Sequence, residues 1–131
     1  MPYVDGYVIP LPKRSVAAYR RMAQKAGKVW KEYGALEVRE CVADQLTVDD
    51  GFGHKVSPFP RITKLKRGET IVFSWILFRS RAHRDHVNAR VLRDPRIAAT
   101  MTDTAKMPFD VKRMAYGGFK TIVDLLAKDR A

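Results

Sequence analysis

The chain is poor in the residues that would give an immediate functional reading. It has one cysteine, Cys41, in 131 residues, which excludes an internal disulfide and a four-cysteine zinc site. Histidine is scarce too, with three residues. Long apolar runs are missing. The longest nearly uncharged one, Thr70 to Phe78, is about half of what a bilayer-spanning helix needs. The start, Met1-Pro2-Tyr3-Val4-Asp5, lacks the basic residues and apolar stretch of a signal peptide. Neither a Gly-rich phosphate loop, nor zinc-finger spacing, nor an RNA-recognition ribonucleoprotein motif occurs. The expectation is a single domain over residues 1–131, in a reducing cytoplasm, with no membrane partner, no cofactor and no bound metal.

Acidic residues are also in the minority. Asp plus Glu is 14 against 25 Lys plus Arg, a net charge of +11. The surplus is uneven. Residues 11–40 carry eight basic against three acidic side chains, and residues 61–96 carry ten against three. Residues 41–60 run the other way, with Asp44, Asp49 and Asp50 against Lys55. Such a surplus attracts polyanions through counterion release and equally serves as a solubilising surface. Without stacking motifs, any nucleic-acid affinity is expected to be weak, non-specific and salt-sensitive.

Apolar residues make up 46% of the chain, and their periodicity gives an order of elements. Tyr3 to Ile9 is β-branched and aromatic and reads as a strand stopped by Pro10 and Pro12. Lys13 to Tyr33 reads as a helix with an apolar stripe at Val16, Tyr19, Ala23, Ala26 and Trp30. Gly34 stands where a helix end favours a left-handed residue. Leu36 to Val42 reads as an edge strand, with Leu36, Val38 and Glu40 on one face and Glu37, Arg39 and Cys41 on the other. Pro58 and Pro60 leave at most a short or irregular strand between Lys55 and Leu65.

Thr70 to Phe78 has seven apolar residues of nine and is the expected central strand. Ser80 caps a second helix, Arg81 to Arg93, with Ala82, Val87, Val91 and one of His83 or His86 inward. Asp94-Pro95 ends it, and Ile97 to Met101 suggests a further helical turn. A last strand is expected to open at Arg113 and run toward Leu126 before a basic tail.

This βαββαβ order predicts a ferredoxin-like plait, α+β, with an antiparallel sheet and both helices on one face. Yet both faces of the strands are apolar. Tyr3, Tyr7 and Ile9 alternate with Val4 and Val8, and Ile71, Phe73, Trp75 and Leu77 with Val72, Ile76 and Phe78. An uncovered face of that kind exceeds what a soluble monomer tolerates, so a homodimer packed sheet to sheet is expected.

Several segments point to a known family: Tyr3-Val4-Asp5-Gly6, Phe59-Pro60-Arg61, Phe73-Ser74-Trp75-Ile76, Ser80-Arg81-Ala82, Arg84-Asp85, Val87-Asn88 and Asp94-Pro95-Arg96. Met107-Pro108-Phe109-Asp110, Lys112-Arg113-Met114 and Tyr116-Gly117-Gly118-Phe119 complete the pattern. The chain resembles the YbaA-like bacterial family, whose domain has no assigned function. The resemblance covers nearly the whole chain and implies a dimeric α/β barrel. It implies no activity. The wider fold superfamily includes cofactor-free monooxygenases, muconolactone isomerases and heme-dependent enzymes, and fold does not select among them.

Asp5, a carboxylate within an apolar strand, is either a buried general base or half of an ion pair opposite Lys120. Gly117-Gly118 is either a bulge that makes room for an aromatic ring or the floor of a pocket. With Arg113 and Tyr116 beside it, such a pocket would hold a small anionic or enolisable molecule between sheet and helices. Arg113 would pair with its negative oxygen, Tyr116 would add a phenol, and Asp5 would take or hold a proton. His83 and His86, three apart, would suit a metal or a heme only with further ligands; otherwise they are ordinary helix residues. Acidic neighbours argue against Cys41 as a nucleophile. Whether the protein is an enzyme stays open beside the alternative of a noncatalytic protein whose basic surface meets RNA or an acidic partner.

Overall fold

The computed structural model describes residues 1–125. Four strands, β1 (Tyr3–Pro12), β2 (Glu37–Val42), β3 (Glu69–Phe78) and β4 (Ala115–Lys120), form one antiparallel sheet in the order β2-β3-β1-β4. Helices α1 (Val16–Glu32) and α3 (Arg81–Arg93) pack on one face, with a short α2 (Phe59–Ile62) and α4 (Pro95–Met101) between elements. This is the α+β plait expected from the element order. The basic tail lies outside the described residues.

Strand β1 runs through Pro10 and Pro12 rather than stopping there, and the register explains why. Thr121 N–H donates to the Pro2 carbonyl (3.2 Å) and Lys13 N–H to the Gly68 carbonyl (2.9 Å). Even-numbered residues of β1 therefore turn their backbone toward β4 and odd-numbered ones toward β3. Pairing with β4 ends at Val8↔Ala115, whereas pairing with β3 continues to Pro12↔Glu69. Pro10 and Pro12 fall where the strand has already become an edge, so their missing N–H groups forfeit no ladder bond.

Strand β4 is shorter than expected. Asp110 accepts from Lys112 N–H (3.0 Å) and caps a single 3₁₀ turn over Val111–Arg113, which removes Arg113 from the sheet. No strand forms among residues 55–65; α2 forms instead, with Pro60 in its first turn, where a missing N–H costs nothing.

The second long helix starts and ends as expected, with the Ser80 hydroxyl accepting from His83 N–H (3.1 Å). Val87 and Val91 are buried, Arg84 and Asn88 also turn inward, and His83 is half-buried; Ala82 and His86 face solvent. His83 faces Gly34, whose φ of +117° is left-handed, so a side chain at Gly34 would meet both backbone strain and the imidazole.

The core lies between sheet and helices in two clusters. One contains Val29, Ala35, Ile76, Phe78, Val87, Val91 and Ile97, the other Ile9, Leu11, Tyr19, Val72 and Phe109. Each fully buried Val, Leu or Phe contributes about 1.5–3 kcal/mol. Tyr7 packs against both clusters, and it belongs to the polar band that separates them.

Candidate functional site

The register builds that band. Glu40 pairs with Ser74, Ser74 with Tyr7, and Tyr7 with Tyr116. One residue from each strand thus forms a polar row across the helix-covered face. Alternation puts Val38, Ile76, Asp5 and Gly118 in the neighbouring row. One carboxylate, Glu40, ends the band at β2, and a second, Asp5, stands in the neighbouring row beside its β4 end.

At the β4 end, Asp5 is completely buried. Arg84 Nη1 donates to its Oδ1 (2.7 Å) and Asn88 Nδ2 to its Oδ2 (3.1 Å). Asn88 and Arg84 lie one helical turn apart on α3, so both reach the same carboxylate. Asn88 Oδ1 in turn accepts from Trp30 Nε1 (2.9 Å). Arg84 also donates to Asp85 (2.8 Å) and lies 4.8 Å over the Tyr3 ring. Burial works against the Arg84 charge, but Asp85 and Asp5 together hold the guanidinium above its ordinary pKa. Tyr116 stacks on Tyr7 at 4.8 Å, and its hydroxyl is 3.4 Å from Arg84 Nη1. Burial and the Asp5 charge push its phenol up. Among the described residues no buried side-chain nitrogen or oxygen lacks a partner.

The structure therefore brings Asp5 and Tyr116 together but not with Arg113. Arg113 forks onto Glu69 (Nη2 to Oε1, 2.9 Å) and reaches the Lys64 carbonyl (3.2 Å). Glu69 is opposite Pro12 and Ile76 opposite Asp5, so the two sites are about 20 Å apart along the strands. Nor does Asp5 pair with Lys120, which is opposite Tyr3 while Asp5 is opposite Gly118. The Gly117-Gly118 floor is also not formed. At Gly118 a Cβ would stand 2.8 Å from Tyr3 Cε2, so the Tyr3 ring occupies that space. Gly117 faces the opposite side of the sheet, beside Phe119. The glycine pair accommodates aromatic rings, one on each face.

The two histidines diverge as well. His83 Nδ1 accepts from Arg79 N–H (3.0 Å) and its ring meets Phe78 edge-on, while His86 is exposed. Burial lowers the His83 pKa. Among the described residues no three His, Cys, Asp or Glu groups stand close enough to hold a metal.

The β2 end of the band is different. The Tyr19 hydroxyl lies 2.9 Å and 2.8 Å from the two carboxylate oxygens of Glu40, and Ser74 is hydrogen-bonded to the same pair. Burial raises the Glu40 pKa above the ordinary carboxylate range, and the two hydroxyls pull it down only in part. Burial and then the Glu40 charge raise that of Tyr19. The pair lines an open groove of about 870 Å³ between α1 and the β2–β3 edge. Ala23, Gly27, Val38 and Val72 provide its apolar lining, and Arg20, Lys28 and Lys31 its basic α1 wall. Lys31 is engaged by the Leu36 carbonyl (2.9 Å); Arg20 and Lys28 make no ion pair among the described residues.

Sequence reasoning assigned Tyr19 to the helix stripe and Glu40 to an edge-strand face without joining them. The available signal was a lone carboxylate sharing a strand face with Leu36 and Val38, opposite the one serine of the central strand.

The fold and its polar band define a ferredoxin-like α+β domain with a groove between helix layer and sheet. Residues 2–111 match the family described as "Protein of unknown function (DUF1428)", and the chain belongs to that family. It is 44% identical over 124 residues to "Uncharacterized protein YbaA" of Escherichia coli K12, covering 95% of this chain and 99% of the relative. The identity and coverage are the same for the Shigella flexneri protein of that name. Among solved structures, an uncharacterized NIPSNAP domain protein from Burkholderia xenovorans aligns over 95% of this chain and 99% of its own. Its TM-score is 0.56 at 12% identity, a likeness of fold. Among the described residues no helix is long and apolar enough to cross a membrane.

Proposed function

We propose that the protein binds a small anionic metabolite in the groove between α1 and β2. The observation that supports this is the chemistry of the groove. One wall carries the cations Arg20 and Lys28, the floor is apolar, and of the two lining carboxylates Glu32 is paired with Arg96 while Glu40 is held by the Tyr19 hydroxyl. A ligand with an anionic head and a short apolar body matches all three surfaces. The test is a thermal-shift screen of small carboxylates and organophosphates. A ligand at 100 times its Kd stabilises by about 2.7 kcal/mol. A rise in Tm that disappears in Arg20→Ala/Lys28→Ala supports the reading; no rise with any member at millimolar concentration overturns it.

A separate observation supports a homodimer. The face of the sheet turned away from α1 and α3 presents Val4, Val8, Phe73, Trp75 and Phe119 around a concavity of about 750 Å³. Phe59 of α2 meets Phe73 edge-on, yet Phe73 is still 46% and Phe119 60% exposed. A second copy placed sheet to sheet covers that face without leaving an open edge of the contact. Light scattering is expected to give twice the chain mass of 15.0 kDa and to fall to the single mass in Phe73→Glu. A wild-type monomer at micromolar concentration contradicts it. The basic surplus adds only weak, salt-sensitive affinity for polyanions.

A further inference from the structure

The Tyr19–Glu40 pair is more than a lining feature. Among the described residues the buried cationic partner of Asp5 has no counterpart at Glu40, whose carboxylate contacts the hydroxyls of Tyr19 and Ser74. It lies on the groove wall, open to a molecule entering between α1 and β2. Tyr19 is only 5% exposed, and its ring is fixed by edge-on packing against Phe109 at 5.8 Å. The hydroxyl therefore holds one place, beside a carboxylate that lines the groove. A base and a hydrogen-bond donor next to each other, facing a cationic wall, are the parts needed to move a proton at a carbon next to a carbonyl.

We propose that Glu40 and Tyr19 catalyse reversible proton transfer at the carbon adjacent to the carbonyl of a small 2-oxo acid. Arg20 and Lys28 bind the substrate carboxylate. Glu40 takes the proton as the C–H bond breaks, and that electron pair becomes the carbon–carbon double bond of an enolate. Glu40, neutral once it holds the carbon proton, releases the Tyr19 hydroxyl whose one proton it had accepted; the carbonyl oxygen takes up the negative charge and accepts that hydrogen bond instead. Glu40 then returns the proton to carbon, or to oxygen to give the enol. The step is redox-neutral and needs no co-reactant. Glu40 is exposed on its solvent side, and partial desolvation on the Tyr19 side raises its pKa, which makes it a stronger base than a fully solvated glutamate.

This rests on the binding reading above, and one experiment separates the two. The probe is 2-oxobutanoate in D₂O, with loss of its C3 protons followed by ¹H NMR and binding followed by Tm in the same samples. The full chain is expected to accelerate exchange at least about 100-fold over buffer. Glu40→Gln should return exchange to the buffer rate while 2-oxobutanoate still raises Tm. Tyr19→Phe, which keeps the ring, should lower exchange at least about 10-fold. His86→Ala, on the solvent face of α3, should leave it unchanged. A raised Tm with exchange at the buffer rate overturns the catalytic role and leaves binding intact. Exchange that survives in Glu40→Gln also overturns it. No rise in Tm with 2-oxobutanoate or any other carboxylate, and no exchange, overturns both.

Discussion

Asp5 and Glu40 lie on the same face of one sheet, in adjacent rows, and have opposite surroundings. Asp5 is sealed, with a guanidinium on one oxygen and an amide on the other. Glu40 meets neutral hydroxyls and lines an open groove. The difference shows that depth of burial alone does not decide which carboxylate stays accessible to a ligand. A cation held in the core turns the deeper acid into a structural tie between β1 and α3. The shallower acid has neutral hydroxyls for partners and faces the groove, which is what the proposed proton transfer needs.

The largest expected effect comes from opening the sealed end. Asp5→Ala leaves the largely buried Arg84 with only the exposed Asp85 and the Tyr116 hydroxyl, which costs about 3 kcal/mol, the low end for a broken buried pair, a large part of a typical domain stability of about 5–15 kcal/mol. Urea unfolding should show a sharply lowered midpoint. Asp5→Leu/Arg84→Met, which removes both charges and fills the space, should regain most of the loss. Recovery by the double variant would confirm that the pair ties the fold together.

A smaller effect is expected from the two glycines. Gly118→Ala must displace the Tyr3 ring, itself packed under Arg84, at about 1–3 kcal/mol. Gly117→Ala meets only ordinary contact with Phe119, 3.5 Å away, and should change stability by less than about 0.5 kcal/mol. Equal losses in the unfolding curves of both would contradict the assignment of Tyr3 to the Gly118 side.

Much of this fold was legible because backbone periodicity carries it. The capped start at Ser80, the stop at Asp94-Pro95 and the two-faced strands all follow from local chemistry. The candidate site was less legible, since it depends on which strand positions stand opposite one another. Asp5 was recognisable as an anomaly in an apolar strand. Its partners Arg84 and Asn88 were not, because on a helix this basic an arginine directed inward reads as one more surface charge. Arg113 was misplaced by a cap, Asp110, that ends its turn before the strand begins. Glu40 and Tyr19 are 21 residues apart and meet only once α1 folds over β2.

The smallest effect is a dependence on pH at the open end. Burial raises the Glu40 pKa in the folded state. Its contribution to stability is therefore full below the unfolded glutamate pKa and is lost as pH rises through the folded value. Glu40→Gln does not titrate. Its Tm relative to wild type should drift upward between about pH 4 and pH 7, by a small amount because solvent at the groove mouth screens the charge. A relative Tm that drifts downward over that range would mean that Glu40 is held charged, as it would be by a cation.

The distinction between the two carboxylates is tested most directly by ¹³C NMR titration of the Glu40 side-chain carboxyl, with and without 2-oxobutanoate. The account predicts a midpoint above 4.5, the ordinary glutamate value, that moves when the ligand occupies the groove. A midpoint at or below 4.5 that the ligand leaves unmoved would contradict it.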